Sequence, residues 1–266
     1  MELNNKVAIV TGAGSGIGRS IAQRFAANDA RIVICTDINF KEARATAESI
    51  GSQAFAEQLD VGDEAAIEQL VAQVEAAHGG IDVFVSNAGY GRVGGIEMPT
   101  ADWQKMMNVH TWSHLAAARA VLPGMLERGS GYLLSTASAA GLLSQFDSGA
   151  YAVSKHAAVA LAEWLSINYV ERGIGVSVLC PQAVRTNVMS YMKNPKELVD
   201  VVQAGGDGIL EPDDVADLCI EAMKDGRFLV LPHQEVETYF QRKANDYDRW
   251  LGGMRRMRQR FQKQPA

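Results

Sequence analysis

Short apolar runs that alternate with amphipathic stretches constrain the fold of this chain more than any other feature of its sequence. The stretches between the runs show helical periodicity, as in residues 64–79. Near-continuous apolar strands joined by helices predict an α/β fold, with a doubly wound parallel sheet flanked by helices on both faces. Six runs rich in Val, Ile and Leu are VAIV (7–10), RIVIC (31–35), DVFVS (82–86), YLLST (132–136), VSVLC (176–180) and FLVLP (228–232).

The composition is typical of a soluble domain with a small-molecule partner. The chain has 266 residues, 47% of them hydrophobic, and its formal net charge of −6 disfavours nucleic acid as a partner. No repeat or linker marks a domain boundary. No apolar run approaches the roughly 18 residues of a membrane span, and the N-terminus lacks a secretory signal. We therefore expect one domain over residues 1–266, in the cytoplasm, without membrane contact.

The three cysteines are predicted to be reduced core residues. Cys35, Cys180 and Cys219 are far apart, and two of them lie in apolar runs. None has the CxxC spacing of a metal or redox site. The sequence accordingly predicts no metal site.

Two segments depart from the alternation of strands and helices. Residues 186–212 combine glycines and a proline with no clear strand, which is typical of a binding loop. Residues 235–262 place aromatic and apolar side chains at helical intervals, so we expect a C-terminal helical extension that docks on the body or on a neighbouring subunit. From Leu251 onward the chain carries five cations and no acid. These cations suit the end of a solvated helix, and contact with a membrane or nucleic acid is the alternative.

A glycine-rich loop, TGAGSGIG (11–18), leads from the first apolar run directly into a helix. Gly12, Gly16 and Gly18 fall at the turn, where the missing Cβ lets a diphosphate approach the backbone at the helix N-terminus. Asp37 ends the second strand, 19 residues beyond Gly18, where a carboxylate accepts hydrogen bonds from an adenosine ribose. That carboxylate would repel a 2′-phosphate, and no Arg or Lys lies beside it or within the loop. The pattern predicts NAD rather than NADP, with an ordinary turn residue at Asp37 as the alternative.

A tyrosine and a lysine stand four residues apart in the small-residue stretch AYAVSKHAAVAL (150–161). On a helix this spacing puts Tyr151 and Lys155 on one face, one turn apart. The spacing alone is compatible with a surface pair or with an acid–base site. A phenol, with an ordinary pKa near 10, is a poor base at neutral pH, but a neighbouring ammonium favours the phenolate. We therefore expect the pKa of Tyr151 to be lowered.

Five motifs in order give the chain its resemblance to the short-chain dehydrogenase/reductase family. The resemblance covers essentially the whole chain and implies a single Rossmann-like domain with a seven-stranded parallel sheet. It places the cofactor-binding part at about 1–135 and the catalytic and substrate part at about 136–235. The motifs are TGAGSGIG (11–18), LDV (59–61), SNAG (86–89), Ser138 placed thirteen residues before YAVSK (151–155), and CPQAVRT (180–186).

The resemblance also implies roles for individual residues in hydride transfer. Tyr151 would be the general acid or base, Lys155 would lower its pKa and bind the nicotinamide ribose, and Ser138 would orient the substrate oxygen. Ser135, on the same strand, is the rival for the serine role. Cofactor contacts are implied for Gly12, Ser15, Gly16, Ile17, Gly18, Asp37, Asp60, Val61, Asn87, Ala88, Gly89, Tyr151, Lys155, Pro181, Val184 and Thr186.

Two positions depart from the family pattern. A gap-free count back from Pro123 and Ser138 puts His110 where the family usually has an asparagine that supports a water-mediated proton relay. Asn108, two residues earlier, would point to nearly the opposite side of a helix. A neutral imidazole can donate and accept hydrogen bonds and can titrate near neutrality, so we predict His110 as the relay residue. A space-filling His110 with a weakened relay is the alternative. Gln182 replaces a common glycine and could narrow the nicotinamide side of the pocket or offer its amide to the substrate.

Mostly apolar and aromatic residues are predicted to line the substrate side of the site. Such a wall favours a hydrophobic secondary alcohol or ketone, for example an alicyclic, aryl or steroid-like molecule. No arginine is plainly placed to clamp an anion, although Arg92 and Arg185 are candidates. The predicted wall comprises Tyr90, Val93, Leu142, Gln145, Met189, Tyr191 and Met192, together with Ser138 and Tyr151.

The leading hypothesis is therefore an NAD-dependent oxidoreductase that acts on such an alcohol or ketone. One alternative is a catalytically impaired NAD-binding regulator, for which the replaced relay asparagine is the motive. Another is an NADP-dependent ketone reductase, which Asp37 disfavours. The resemblance further implies a homotetramer or homodimer joined through long helices near 101–127 and 151–171.

Overall fold

Seven strands form one sheet in the computed structural model, which describes residues 1–186 and 206–263. The strands are β1 (Val7–Thr11), β2 (Ile32–Asp37), β3 (Ala54–Gln58), β4 (Val83–Ser86), β5 (Gly131–Thr136), β6 (Ile174–Leu179) and β7 (Leu229–Val230). Their order in the sheet is β3-β2-β1-β4-β5-β6-β7. Every neighbouring pair is parallel. The predicted seven-stranded parallel sheet is confirmed.

Helices connect the strands and continue beyond the last one. They are α1 (Gly16–Ala27), α2 (Phe40–Ile50), α3 (Glu64–His78), α4 (Thr100–Met107), α5 (Ser113–Arg128), α6 (Ala140–Leu143), α7 (Gly149–Tyr169), α8 (Pro212–Asp225), α9 (Glu235–Asn245) and α10 (Tyr247–Lys263). A π-helical turn, Asn108–Trp112, joins α4 to α5. Among the helices of the described ranges, none is both long and apolar enough to cross a bilayer.

The sheet is covered on both faces because both sets of side chains on its central strands are apolar. Successive side chains of a strand point to opposite faces. Val7 and Ile9 of β1 therefore enter the core formed with α3, α5 and α7. Ala8 and Val10 enter the second core, formed with α1 and α8. This two-sided burial explains why the central strands appear in the sequence as continuous apolar runs.

Strand β3 is the one strand that the apolar runs do not predict. Its sequence is AFAEQ, and it lies at the edge of the sheet, paired with β2 alone. Phe55 is 42% exposed there. No residue of β3 is buried, so its sequence lacks the apolar run that identifies the other six strands, β7 at the opposite edge included.

The cysteines and the C-terminal segment match their predictions. Cys35, Cys180 and Cys219 are buried free thiols, and burial raises the pKa of each to about 12. The segment predicted as a helical extension forms α9 and α10. Val236 of α9 is fully buried in the core against α7, so α9 docks on the body of the same chain.

The pairing of β5 with β6 generates a test of the packing. Gly175 lies opposite Tyr132, whose side chain is 2% exposed and whose hydroxyl is 2.6 Å from the Ser177 Oγ. A Cβ at residue 175 would lie 2.3 Å from the Tyr132 ring. Gly175→Ala should therefore lower the free energy of unfolding by about 1–3 kcal/mol, as overpacking does, measured by urea denaturation with circular dichroism.

Gly252→Ala in α10 is the matched control. Within the described residues, a Cβ there would meet only the end of the Arg256 side chain, at 3.4 Å, and alanine favours a helix over glycine by roughly 0.5–1 kcal/mol. Equal effects of the two substitutions on the unfolding free energy would contradict the packing described for Gly175.

Candidate functional site

The glycine loop between β1 and α1 lies against the ends of two other segments. Gly12 and Gly16 have φ of 65° and 53°, which favours glycine. A Cβ at Gly12 would lie 2.9 Å from the Ala88 Cα, and one at Gly16 would lie 2.8 Å from the Thr186 Cγ2. A Cβ at Gly18 would lie 2.3 Å from the Gly12 carbonyl oxygen. The three glycines thus allow a close approach that brings the predicted cofactor residues Ala88 and Thr186 to the loop.

The start of α1 fits a diphosphate. Ser15 caps the helix in extended conformation, and within the described residues its side chain makes no capping hydrogen bond. The first turn contains Ile17 and carries no acidic residue. The first backbone N–H groups of a helix lack intrahelical partners and attract anions. The loop and helix start therefore have the chemistry that a dinucleotide cofactor requires.

Asp37 lies at the carboxyl end of β2, directly beside the loop. Its carboxylate accepts hydrogen bonds from the backbone N–H groups of Gly14 (3.0 Å) and Asn39 (2.9 Å). The Asp37 carbonyl accepts from the Leu59 N–H at 3.0 Å, which brings the following pair, Asp60 and Val61, next to the same corner. The predicted adenosine side of the site is thus assembled from two strand ends.

A cation that the sequence analysis did not single out, Arg19, reaches the same corner of the site. Arg19 follows the loop directly, and its guanidinium donates to the Gly14 carbonyl oxygen. It also pairs with Glu42 at 3.3 Å and donates to the Thr46 hydroxyl at 3.1 Å. Because Glu42 pairs with Arg19, the corner holds a compensated ion pair beside the Asp37 carboxylate.

Two threonines that the sequence analysis did not single out hold three strand ends together. The Thr11 hydroxyl accepts from the N–H groups of Asn87 (2.9 Å) and Ala88 (3.1 Å) and donates to the Val85 carbonyl (3.1 Å). The Asn87 amide donates to the Thr11 carbonyl at 2.9 Å and accepts from the Thr136 hydroxyl at 3.1 Å. These bonds fix Asn87 between β1 and β5. In the sequence, the feature that could have identified these two residues is a threonine at the last position of β1 and of β5.

Tyr151 and Lys155 lie on the first turns of α7 as the spacing predicts. The Lys155 Nζ is 5.7 Å from the centre of the Tyr151 ring and donates to the Thr136 carbonyl at 2.9 Å. Lys155 is 3% exposed, and this burial lowers its pKa to about 8. The helix therefore presents a phenol beside a desolvated ammonium.

The structure separates the two candidate serines. Ser135 lies inside the sheet, paired with Val178 of β6 and 5% exposed. Ser138 lies past the end of β5, where its hydroxyl accepts the Ala140 N–H at 3.1 Å. Ser138 is half-buried and lies outside the sheet, whereas Ser135 is buried within it, which favours Ser138 for the serine role.

His110 is fully buried in the π-helical turn before α5. Its Nε2 accepts the Tyr90 N–H at 3.2 Å, and its Nδ1 is 2.9 Å from the Ser154 Oγ. The ring meets Tyr151 edge-on, with centres 5.5 Å apart. Asn108 instead accepts from the Gln104 amide in an exposed hydrogen bond. His110, not Asn108, is the residue that reaches the site.

The expectation that His110 titrates near neutrality is wrong. Burial, and next the charge of Lys155, hold the pKa of His110 well below its usual value. His114, one turn further along α5, is also buried, and within the described ranges its ring nitrogens have no hydrogen-bond partner. Burial lowers the pKa of His114 to about 3. Both imidazoles are therefore neutral over the physiological pH range.

The loop after β6 is tied to residues that the sequence analysis missed. Gln182 donates its side-chain amide to Asp207 at 2.9 Å and its backbone N–H to the His233 Nδ1 at 3.2 Å. The Gln182 amide therefore binds Asp207. Pro181 accepts the Ala139 N–H at 2.9 Å, which joins this loop to the one after β5.

The predicted substrate wall is described only in part. Tyr90 and Gln145 are half-buried, and Leu142 belongs to the core against α7. The two candidate anion clamps are engaged: Arg92 pairs with Asp102 and Arg185 with Glu211, each at 2.6 Å. The predictions for Met189, Tyr191 and Met192 lie outside the described residues.

Comparison with known proteins finds oxidoreductases that are similar to this chain. The 1-deoxy-11-beta-hydroxypentalenate dehydrogenase of Streptomyces exfoliatus is 34% identical over 254 residues, which cover 92% of this chain and 90% of that protein. The 7alpha-hydroxysteroid dehydrogenase of Escherichia coli strain K12 is 32% identical over 199 residues, or 74% of this chain and 78% of that protein.

A solved structure agrees with these relatives. A short chain dehydrogenase/reductase from Burkholderia phymatum, crystallised in complex with NAD, is similar with a TM-score of 0.84 at 28% identity. The similarity covers 93% of this chain and 96% of that one. The sequence profile described as short chain dehydrogenase matches residues 6–197 of this chain. The chain therefore belongs to the short-chain dehydrogenase/reductase family, and two of the relatives above are named as dehydrogenases of hydroxylated molecules.

Proposed function

We propose that this protein is an NAD-dependent dehydrogenase that transfers hydride between a nicotinamide cofactor and a hydrophobic secondary alcohol or ketone. The observation that carries the proposal is the Tyr151 and Lys155 pair, with its ammonium 5.7 Å from the phenol ring centre and almost fully buried. The pair stands at the same edge of the sheet as the glycine loop. A proton-transfer group and a dinucleotide cradle at one edge are what alcohol oxidation needs.

The bound nicotinamide would supply the hydride acceptor for the alcohol carbon, and the chain would handle the proton. In the oxidation, the phenolate of Tyr151 takes the proton from the alcohol oxygen as the C–H bond breaks. Lys155 favours that phenolate by its charge and would hold the ribose hydroxyls of the bound cofactor. The Ser138 hydroxyl donates to the substrate oxygen and fixes its direction. Reduction of the ketone runs through the same groups in reverse.

His110 acts in this proposal as a neutral hydrogen-bonding residue. Because the Tyr90 N–H points at Nε2, the neutral ring carries its proton on Nδ1 and donates it to Ser154. The Ser154 hydroxyl in turn donates to the Tyr151 carbonyl at 2.9 Å. A relay through His110, as the sequence analysis predicts, would have to run through a neutral imidazole.

NAD is favoured over NADP by the charges around the ribose corner. The Asp37 carboxylate would repel a 2′-phosphate, and the nearby Arg19 is paired with Glu42. The structure from Burkholderia phymatum, crystallised with NAD, is consistent with this choice. An NADP-dependent ketone reductase is the second candidate, and Arg19 is the observation that favours it.

A hydrophobic substrate is supported by the half-buried Tyr90 and by the engagement of Arg92 and Arg185 in ion pairs. Two relatives named for a hydroxypentalenate and a hydroxysteroid agree with it. A regulator without turnover is the remaining alternative, and the Tyr151 and Lys155 pair argues against it.

We also propose a homo-oligomer, as a dimer or tetramer. Large apolar side chains lie exposed on α7 and beside α5, and contiguous exposed apolar surface marks protein contacts. Trp112 is 48%, Val153 51%, Trp164 53% and Ile167 81% exposed.

Replacing the proposed base tests the reaction. Tyr151→Phe should lower turnover of secondary alcohols with NAD by about 10²–10⁴-fold, the usual contribution of a general acid or base. The Kd for NAD should change by less than about threefold, because the phenol hydroxyl is one contact among many. Absorbance of the reduced nicotinamide and calorimetry measure the two quantities. Tyr169→Phe, at the far end of α7, is the control, and undiminished turnover in Tyr151→Phe would refute the proposed base.

Asp37 tests the cofactor. Asp37→Asn should raise the Kd for NAD by about 10-fold, because hydrogen bonds to a charged group contribute roughly 1.5–3 kcal/mol, and should strengthen NADP binding. Glu57→Gln on the exposed face of β3 removes the same charge nearby and serves as the control. An Asp37→Asn protein with unchanged preference between the two cofactors would show that Asp37 is an ordinary turn residue.

The buried ammonium of Lys155 predicts a pH-dependent stability. Its pKa of about 8 lies below its ordinary value of 10.5, so at pH 7 burying the charge costs about 3 kcal/mol. Between pH 8 and 10 the folded chain releases this proton before the unfolded chain does, so the wild type gains stability as the pH rises. Lys155→Met should therefore be the more stable protein at pH 7, with the difference shrinking by about 1.4 kcal/mol per pH unit above 8.

Urea denaturation of both proteins without cofactor, at pH 7, 8 and 9, measures this difference. Lys224→Met removes a half-exposed ammonium and should show no such trend. A difference between Lys155→Met and the wild type that stays constant with pH would contradict the burial of a charged Lys155.

A further inference from the structure

A second tyrosine and lysine pair with the same four-residue spacing lies on α9. Tyr239 and Lys243 share one face of that helix, and neither belongs to the site described above. Their polar atoms reach in different directions along the body of the chain. Each one ends on a loop that follows a central strand of the sheet.

Tyr239 reaches the loop after β6. Its hydroxyl donates to one carboxylate oxygen of Asp207 at 2.9 Å, and the other oxygen accepts the Gln182 amide at 2.9 Å. The Gln182 backbone N–H is held in turn by His233 at 3.2 Å, and the other ring nitrogen of His233 is 3.3 Å from the Gly208 carbonyl oxygen. Gln182, in the place of a common family glycine, thus connects the loop to α9.

Lys243 reaches the loop after β5. It is 7% exposed, and its Nζ donates to the Leu142 carbonyl at the end of α6. The Nζ also lies 3.5 Å from the His156 Nε2 and 5.4 Å from the centre of the Tyr247 ring. His156 donates its Nδ1–H to the Ala152 carbonyl at 2.8 Å, so its Nε2 can accept from Lys243. The buried Lys243 ammonium is thus held by the Leu142 carbonyl, the His156 imidazole and the face of the Tyr247 ring.

Both loops contact the proposed catalytic groups. A Cβ at Gly141 of α6 would lie 2.6 Å from the Lys155 carbonyl oxygen, so α6 packs directly on the catalytic turn of α7. The loop after β6 continues to Thr186, which packs on Gly16 of the glycine loop. The position of the loop after β5 therefore affects Lys155, and the position of the loop after β6 affects the cofactor cradle.

We infer that α9 is a positioning element of the active site, in which Tyr239 holds the loop after β6 through Asp207 and Gln182, and Lys243 holds the loop after β5 through the Leu142 carbonyl. The inference rests on the proposed function for its effect on turnover. Its structural content, that each side chain holds one particular loop, is independent of any activity.

Hydrogen–deuterium exchange of the full chain tests the structural content. Tyr239→Phe should speed exchange in residues 180–186 several-fold and leave 139–144 unchanged. Lys243→Met should speed exchange in residues 139–144 and leave 180–186 unchanged. Tyr169→Phe and Lys224→Met, which remove the same groups elsewhere, should change neither segment. Unchanged exchange in both segments, or the same change in both variants, would overturn the inference.

Kinetics test the functional content. Tyr239→Phe and Gln182→Ala should each lower kcat by about 3–10-fold, and the double variant should be no slower than the slower single one, because both interrupt one connection. Tyr239 would have only a structural role if the effects of the two substitutions on kcat multiply in the double variant. The same conclusion would follow if Tyr239→Phe lowers the unfolding midpoint and leaves kcat unchanged. Should Lys243→Met fail to fold, the Tyr239 and Gln182 cycle decides the matter. If the wild type turns over no alcohol with either cofactor, the proposed function fails, and the exchange pattern still decides this inference.

Discussion

The buried ammonium of Lys155 is the constraint on which the rest of the site depends. Among the described residues no carboxylate pairs with it, and its one hydrogen bond among them goes to the Thr136 carbonyl. Burying an unpaired cation is costly, so the groups around it have to remain neutral or become negative. His110 and His114 are both held neutral by burial, with Lys155 as the second cause. Tyr151 is the neighbour that can supply a negative charge, and a phenolate there would relieve the unpaired ammonium and act as the base.

The same reasoning explains why a histidine is compatible with the place of the family asparagine. A charged imidazole beside Lys155 would add to the unpaired positive charge, but a neutral one adds none. The two nitrogens of His110 point in opposite directions across the ring, so a neutral ring can accept from Tyr90 and donate to Ser154 at once. It thereby joins the segment after β4 to the first turn of α7.

The sequence predicted the parts of the structure that depend on local pattern. Apolar runs identify six strands, the central ones because they are buried on both faces, and glycine is required in the loop because a Cβ at Gly18 would lie 2.3 Å from the Gly12 carbonyl oxygen. Strand β3 escaped prediction because none of its residues is buried and its sequence carries no such run. The π-helical turn at Asn108–Trp112 depends on hydrogen-bond register, which side-chain periodicity does not encode. The low pKa of His110 depends on burial by segments distant in sequence, and the pairing of Arg19 with Glu42 joins two different helices.

The two tyrosine and lysine pairs of this chain show why spacing alone could not assign the site. Tyr151 with Lys155 and Tyr239 with Lys243 have the same spacing, and both lysines are buried. What differs is the surroundings. The ammonium of Lys155 lies at the edge where β1, β4 and β5 end, beside the glycine loop, whereas that of Lys243 is enclosed by a carbonyl, an imidazole and the Tyr247 ring. Burial does not separate the two lysines, since Lys155 is 3% and Lys243 7% exposed; what separates them is the edge of strand ends and glycine loop that Lys155 shares. We therefore propose the chemistry for the pair on α7, and a role through the loops that it holds for the pair on α9.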